Sequence, residues 1–287
     1  MVDSQRAAVL AHRQPARIRA LEQQAIADAT RPLAQALATA HKAALTRWTR
    51  ETSGQQIPAR LDDLIAWLRK TLREAFAGRG RQAQRAATQA AFAAALDAAL
   101  RTAQLAAGMR GKPAPPVSPA IGTDAQATAD AIPAAVEEEH GHALALLTTA
   151  SLTAMGLAGL NAVFSRARRA IGRIARGVAV AIGHAATHAA QLVARALGSD
   201  TRLLWVTEPD ACAACRAYAG RHIRPGGRFP GGLSLDPQRT SFPTAIPGPP
   251  RHPHCRCALV PWSPTWRVSG PPLPTLLRQQ ARITRRP

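Results

Sequence analysis

The chain has 287 residues, with 37 Lys and Arg against 17 Asp and Glu for a net charge of +20, and 4% of its residues are aromatic although 46% are hydrophobic. That length suits about two domains. An apolar fraction that is largely alanine, a strong helix former that buries little area, argues against a β-sandwich or doubly wound sheet and for long, thin helical packing. The charge is uneven, +10 over residues 1–112, −5 over 113–165 and +15 over 166–287, so the field that attracts polyanions is concentrated at the C-terminal end.

Residues 4–52 read as helix, with Arg31-Pro32 predicting a break and restart, because proline suits a first turn and disfavours helix just before it. Leu33, Leu37, Ala40, Ala44 and Trp48 then share one face. A second helix is predicted from Pro58, with Leu61, Leu64, Ile65, Leu68, Leu72 and Phe76 at helical spacing and Gly78 and Gly80 ending it. A third runs from about Arg81 to Met109, with Phe92, Leu96, Leu100 and Ala103 as its core stripe. Pro113, Pro115, Pro116 and Pro119 make 112–123 a linker or surface loop. A helical pair follows, Asp124 to about Phe164 and Ser165 to Leu197, stopped by Gly198. Arg202–Thr207 and Ala258–Trp262 are the predicted strands, around a Gly, Pro and Arg-rich stretch. The tail beyond Pro264, with Arg267, Arg278, Arg282, Arg285 and Arg286 and no acid, is expected to be poorly ordered alone. The domain reading is 1–111 helical, 112–123 linker, 124–198 helical pair, 199–263 cysteine module and 264–287 basic tail. The fold class is mainly α, an elongated N-terminal helical bundle plus a small C-terminal α+β zinc-clasped module.

Asp3, Arg6, Arg13 and Arg17 interrupt any apolar leader, so cytosolic synthesis is expected. Ala143–Phe164 is 22 residues without a charge, yet alanine, threonine and glycine dilute it, and a buried bundle helix is the preferred reading over a membrane span.

All four cysteines lie in the last third: Cys212 and Cys215 as C-x-x-C, then Cys255 and Cys257 as C-x-C, preceded by His252 and His254. In a reducing cytosol disulfides do not persist, so two close cysteine pairs with adjacent histidine read as a structural Zn2+ site. Cys212, Cys215 and Cys257 with Cys255 or His252, and His254 last, compete for four places. The metal would supply folding energy to a segment with few large apolar residues. Catalytic readings fail on motif chemistry. No histidine is followed two residues later by glutamate, as zinc deaminases require, and His184-Ala-Ala-Thr-His188 has alanine where a metalloprotease needs its base. That pair reads as a helix-surface feature, and Glu137, Glu138, Glu139, His140 and His142 as a solvated turn. Arg166, Arg169, Arg173 and Arg176 recur at helical spacing and, with Arg278, Arg282, Arg285 and Arg286, are the candidates for nucleic-acid contact.

The stretch Trp205-Val-Thr-Glu-Pro-Asp-Ala-Cys212-Ala-Ala-Cys215-Arg-Ala-Tyr-Ala-Gly220, completed by Pro250-Arg-His252-Pro253-His254-Cys255-Arg256-Cys257, resembles the C-terminal region of phage Mu F-like head morphogenesis proteins, minor capsid proteins of tailed bacteriophages. The resemblance covers about Ile174 to Trp262. It implies Cys212, Cys215, His252, Cys255 and Cys257 as the shared motif, with Gly220 as a turn; His254 stands where many members carry asparagine, and Arg176-Gly177-Val178 replaces a common Arg-Thr-Glu-type motif. It further implies a non-enzymatic virion component of the phage head interior, made in the host cytoplasm, partnered by the portal and other head proteins and by packaged double-stranded DNA. With no base-reading motif in the chain, DNA contact is expected to be sequence-independent and salt-sensitive, and a membrane partner is not expected. The alternative is a cytosolic zinc-containing nucleic-acid-binding protein with no virion role.

Overall fold

The computed structural model describes residues 3–52, 60–236, 238 and 242–283. The chain is mainly helical, with a long helical N-terminal region and a small C-terminal sheet beside a Cys/His cluster. It divides into two compact units built from interleaved segments, one of Met1–Gln24, Thr88–Thr128 and Val178–Pro287, the other of Ala25–Ala87 and Ala129–Gly177. The sequence reading divides the same chain into consecutive blocks.

The first helix, α1, is Ser4–Thr52. It runs unbroken through Pro32, where a restart was expected. Ala29, Leu33 and Leu37 are buried on either side of the proline, and this packing offsets the roughly 3 kcal/mol that a proline costs inside a helix. Helix α2, Leu61–Phe76, buries Leu64, Ile65, Leu68, Leu72, Ala75 and Phe76, the anticipated face, and carries Asp62 and Asp63 in its first turn, where the helix dipole favours negative charge. The predicted start at Pro58 lies outside the described residues. Gly78, at φ 70, ends α2. Gly80 does not act as a stop: it sits inside α3, Arg79–Arg110, where a Cβ would lie 2.9 Å from Pro133 Cα.

The core stripe expected on α3 is reversed. Phe92, Leu96 and Leu100 are 53%, 42% and 56% exposed, whereas Ala91, Ala94, Ala95, Ala98 and Ala99 are buried. Alanine faces let helix backbones approach closely, so the small side chains take the interior and the large ones are left outside. Residues 113–122 have no helix or strand, in keeping with the proline-rich loop.

The first member of the predicted helical pair is three helices. They are α4 (Thr123–Asp130), α5 (Ile132–Ala145) and α6 (Thr149–Met155), followed by α7 (Leu157–Ala196). Pro133 opens α5. Thr148 caps α6 by accepting from the Ser151 N–H, and Gly156, at φ 55, ends it. These breakers divide Ala143–Phe164, so the apolar run is not one helix. Nothing comparable interrupts Phe164-Ser165, and α7 passes straight through it. By length and composition α7 could cross a membrane, but 72% of its most apolar window is buried inside the protein.

The sheet is β1 (Arg202–Val206), β2 (His222–Ile223) and β3 (Ala258–Trp262), in the order β2-β1-β3 and antiparallel throughout. Both faces of β1 are covered, which accounts for its unbroken apolar sequence. Leu204 and Val206 join Val260, Ala7, Ala8, Ala11, Leu105, Met109, Leu273 and Leu277 in one cluster. Leu203 and Trp205 join Leu259, Tyr218, Phe229, Cys215, Cys255 and Cys257 in another. Pro261 falls on β3, an edge strand, where a missing N–H is tolerated. The tail, expected to be poorly ordered alone, here forms a docked helix, α9, Leu273–Ile283, which buries Leu273, Pro274, Leu276, Leu277 and Ala281. Its apolar face has the first cluster to dock on, and Pro274 occupies a first-turn position where proline suits helix.

Candidate metal centre

The two cysteine knuckles meet. The first is a single turn, α8 (Ala213–Arg216), whose N-cap is Cys212; its Sγ accepts from the Cys215 N–H at 3.4 Å. The second closes where the Cys255 N–H bonds the His252 carbonyl at 3.0 Å. His252 Nε2 lies 3.4 Å from Cys212 Sγ and 3.4 Å from Cys215 Sγ, and Cys215 Sγ lies 3.6 Å from Cys255 Sγ. Cys212, Cys215 and His252 form one group able to hold a metal ion, and Cys215, Cys255 and Cys257 a second; Cys215 belongs to both. A tetrahedral zinc with Zn–S of about 2.3 Å and Zn–N of about 2.0 Å spaces its donors by about 3.5–3.8 Å, so these spacings fit the donor shell of one such ion.

The imidazole is already set for coordination. Its Nδ1 bonds the Pro253 carbonyl at 2.8 Å, and since a carbonyl only accepts, Nδ1 carries a proton and Nε2 is the nitrogen turned to the sulfurs, the one a metal ion would take by displacing its proton. Hydrogen bonds from Cys215 and then His252 pull the Cys212 thiol down to about 4. The Cys212 sulfur in turn holds His252 up at about 9. Cys255 is lowered, first by its hydrogen bond with Cys215, and Cys215 is raised by Cys212 and Cys255. Crowded sulfurs cannot all ionise unaided; a divalent cation removes that conflict.

Cys215, Cys255 and Cys257 are buried, whereas Cys212 is exposed at the edge of a cleft of about 630 Å3. An aromatic floor supports the buried sulfurs: the Trp205 ring lies 5.0 Å from Tyr218 and 5.1 Å, edge on, from Phe229. Arg251 stacks its guanidinium 4.7 Å above Tyr218, and Phe242 stacks on His252.

Behind the knuckles lies an ion network that the sequence reading missed. Glu22 of α1, 2% exposed, takes His254 Nδ1 at 3.0 Å and Arg256 Nε at 2.8 Å. Arg256 also approaches Glu208 at 3.7 Å, and Arg19 joins Glu208 at 2.5 Å to Asp210 at 2.9 Å. Burial holds the Glu208 carboxyl above its ordinary value despite both arginines. His254 is thereby committed to Glu22 and stands apart from the two metal-binding groups. Its backbone, at φ 63, occupies the left-handed region that asparagine and histidine enter more readily than most residues. The signal for part of this network was the acid pair Glu208 and Asp210 just before C-x-x-C; nothing local marks Glu22.

Comparison with protein-family models, curated proteins and solved structures returns no match.

The remaining candidate residues divide into groups. Arg166 and Arg173 pair with Glu139, at 3.1 and 2.9 Å, and Glu139 is 3% exposed. They therefore neutralise a buried carboxylate, while Arg169 and Arg176 are exposed beside them along an open cleft of about 530 Å3. The supposedly solvated turn is partly interior, since His140 is buried too and stacks on Phe76 at 4.6 Å. His184 and His188 are half-buried and line a cleft with Asp124 rather than standing on a free surface. Arg278 and Arg282 lie on α9 and face a different cleft. Arg285 and Arg286 are outside the described residues.

Proposed function

We propose that the chain is a non-enzymatic minor head protein of a tailed bacteriophage, related to the Mu F-like proteins. Its C-terminal module is clasped by one structural Zn2+, and it acts in head assembly or genome delivery beside the portal and packaged DNA. The observation that carries the reading is the convergence of Cys212 and Cys215 on His252, across 37 residues of chain from Cys215, with Cys255 at the same sulfur. These are the residues of the resemblance. The left-handed backbone at His254 suits the asparagine that many family members carry there, and Gly220, the family's turn, has φ +67. Zinc is the ion that such a sulfur and imidazole set selects. Five candidate donors for the four places of a tetrahedral ion leave no place open, which favours a scaffold over an open catalytic site. When bound, the ion supplies folding energy on the order of 10 kcal/mol.

Two measurements test this. Metal analysis of the purified protein is expected to give one zinc per chain; a chain without a bound divalent ion overturns the clasp. Mass spectrometry of purified particles is expected to find this chain inside the virion, while its confinement to the host soluble fraction replaces the head role with the cytosolic alternative.

A further inference from the structure

Several arginines sit beside a carboxylate that balances them, as Arg17 does with Asp97, Arg47 with Glu51, and Arg166 and Arg173 with Glu139. A cleft in the C-terminal module gathers several arginines together. A hollow of about 460 Å3 is lined by Arg216, Arg221, His222, Arg278 and Arg282, and no carboxylate is among its lining residues. Among the described residues no ion pair reaches Arg221, Arg278 or Arg282. Arg202 adds a further positive charge at the rim, its Nη1 3.5 Å from His222 Nδ1.

The guanidinium groups are held in place. Arg221 Nε donates to the Ala217 carbonyl at 3.1 Å and Arg278 Nε to the Pro274 carbonyl at 3.2 Å, so each side chain is anchored through one nitrogen and keeps its terminal NH2 groups for a ligand. The wall itself depends on Gly220. A Cβ there would lie 2.1 Å from the Pro274 carbonyl oxygen, and its φ of +67 is one that L side chains rarely adopt. Gly220 thus lets α9 close against the module and set Arg278 and Arg282 opposite Arg221. Arg221, Arg278 and Arg282, gathered with no ion pair among the described residues, repel one another, and an arginine fork matches phosphate oxygens in geometry as well as in sign. The volume lies within the roughly 300–1,000 Å3 of small-ligand sites, more than one small anion fills.

We propose that this cleft binds consecutive phosphate groups, with the phosphodiester backbone of nucleic acid as the source. The proposal rests on the DNA-binding part of the function above and localises it to residues of α9 and the α8 to β2 turn. Neither Arg216 nor Arg221 was among the residues singled out for nucleic-acid contact.

The test uses the full-length, zinc-loaded protein, a labelled random-sequence DNA duplex over a salt series, and inorganic tripolyphosphate by calorimetry. Arg278→Gln/Arg282→Gln is compared with Arg169→Gln/Arg176→Gln, with zinc content and far-ultraviolet dichroism as folding controls. The α9 double variant is expected to weaken duplex binding at least tenfold and to reduce the slope of log K against log salt by about 2, since each lost phosphate contact removes about 0.9. It is expected to lose tripolyphosphate binding as well. If the unaltered protein binds tripolyphosphate through these arginines but not the duplex, the cleft stands and the DNA reading falls. Duplex and tripolyphosphate binding left unchanged by the α9 variant overturns the cleft, as does an equal loss in the Arg169/Arg176 variant.

Discussion

The two compact units are held together in different ways. In the all-helical unit the apolar faces of α2, α5 and α7 supply many small increments: Leu64, Leu68 and Leu72 are fully buried, and a deeply buried carboxylate there, Glu139, is matched by two arginines. In the other unit a three-stranded sheet and a Gly/Pro-rich loop depend on a few strong ties, namely the sulfur and imidazole cluster, the aromatic floor and the Glu22 network. A unit held by a few ties is more sensitive to the loss of one of them than a unit held by many small contacts.

The largest expected effect is therefore on the clasp. Cys215 belongs to both donor groups, so Cys215→Ser is expected to abolish zinc binding and remove stabilisation on the order of 10 kcal/mol from its unit. Limited proteolysis should then cut between Arg216 and Arg251 while most of the helical dichroism persists. Retention of zinc together with protease resistance would mean that the sheet and aromatic floor suffice without an ion. Next, Leu68→Ala in the all-helical unit is expected to cost about 2–5 kcal/mol by denaturant unfolding and to leave zinc content untouched; zinc loss in this variant would show that the two modes of cohesion are not separate.

Smaller effects sharpen the contrast. Thr148→Ala removes the cap of α6 and is expected to cost about 1 kcal/mol, readable as a small drop in melting temperature. Glu139 concerns pH. Burial opposes its ionisation, but Arg173 and Arg166 prevail and hold its carboxyl below the ordinary 4.5. A depressed folded-state value gives stability that is present above the unfolded value and lost as pH falls through the folded one. Glu139→Gln is thus expected to flatten the acid limb of melting temperature against pH below about 4.5, where the unaltered protein declines. An identical acid limb in both proteins would remove Glu139 as its source.

The parts that could be read from the chain are those whose chemistry is local. The knuckles were visible because a cysteine turn and an H-P-x-C-R-C stretch carry their ligands within a few residues, and α2 was visible because its leucines leave one face to choose. On α3 two faces competed, and periodicity alone cannot say whether Phe92, Leu96 and Leu100 or the alanines opposite take the interior. Pro32 misled for a related reason: a local rule about proline was outweighed by the burial of Leu33 and Leu37. The α9 helix was hidden by the prolines and arginines around four apolar positions, whose partners Ala7, Ala8 and Ala11 lie at the other end of the chain. Glu22 left no trace at all, since its partner His254 is 232 residues away.

That last separation carries a consequence for biogenesis. At about 5–20 residues per second of synthesis, on the order of 10–50 s pass between the emergence of Glu22 and that of its partner. Throughout that interval the start of α1 has neither β3 nor α9 to cover Ala7, Ala8 and Ala11, and the bridge between Asp3 and Ser269 forms later still. This unit therefore matures only after α9 has been made, and the start of α1 spends that time exposed to chaperones and proteases.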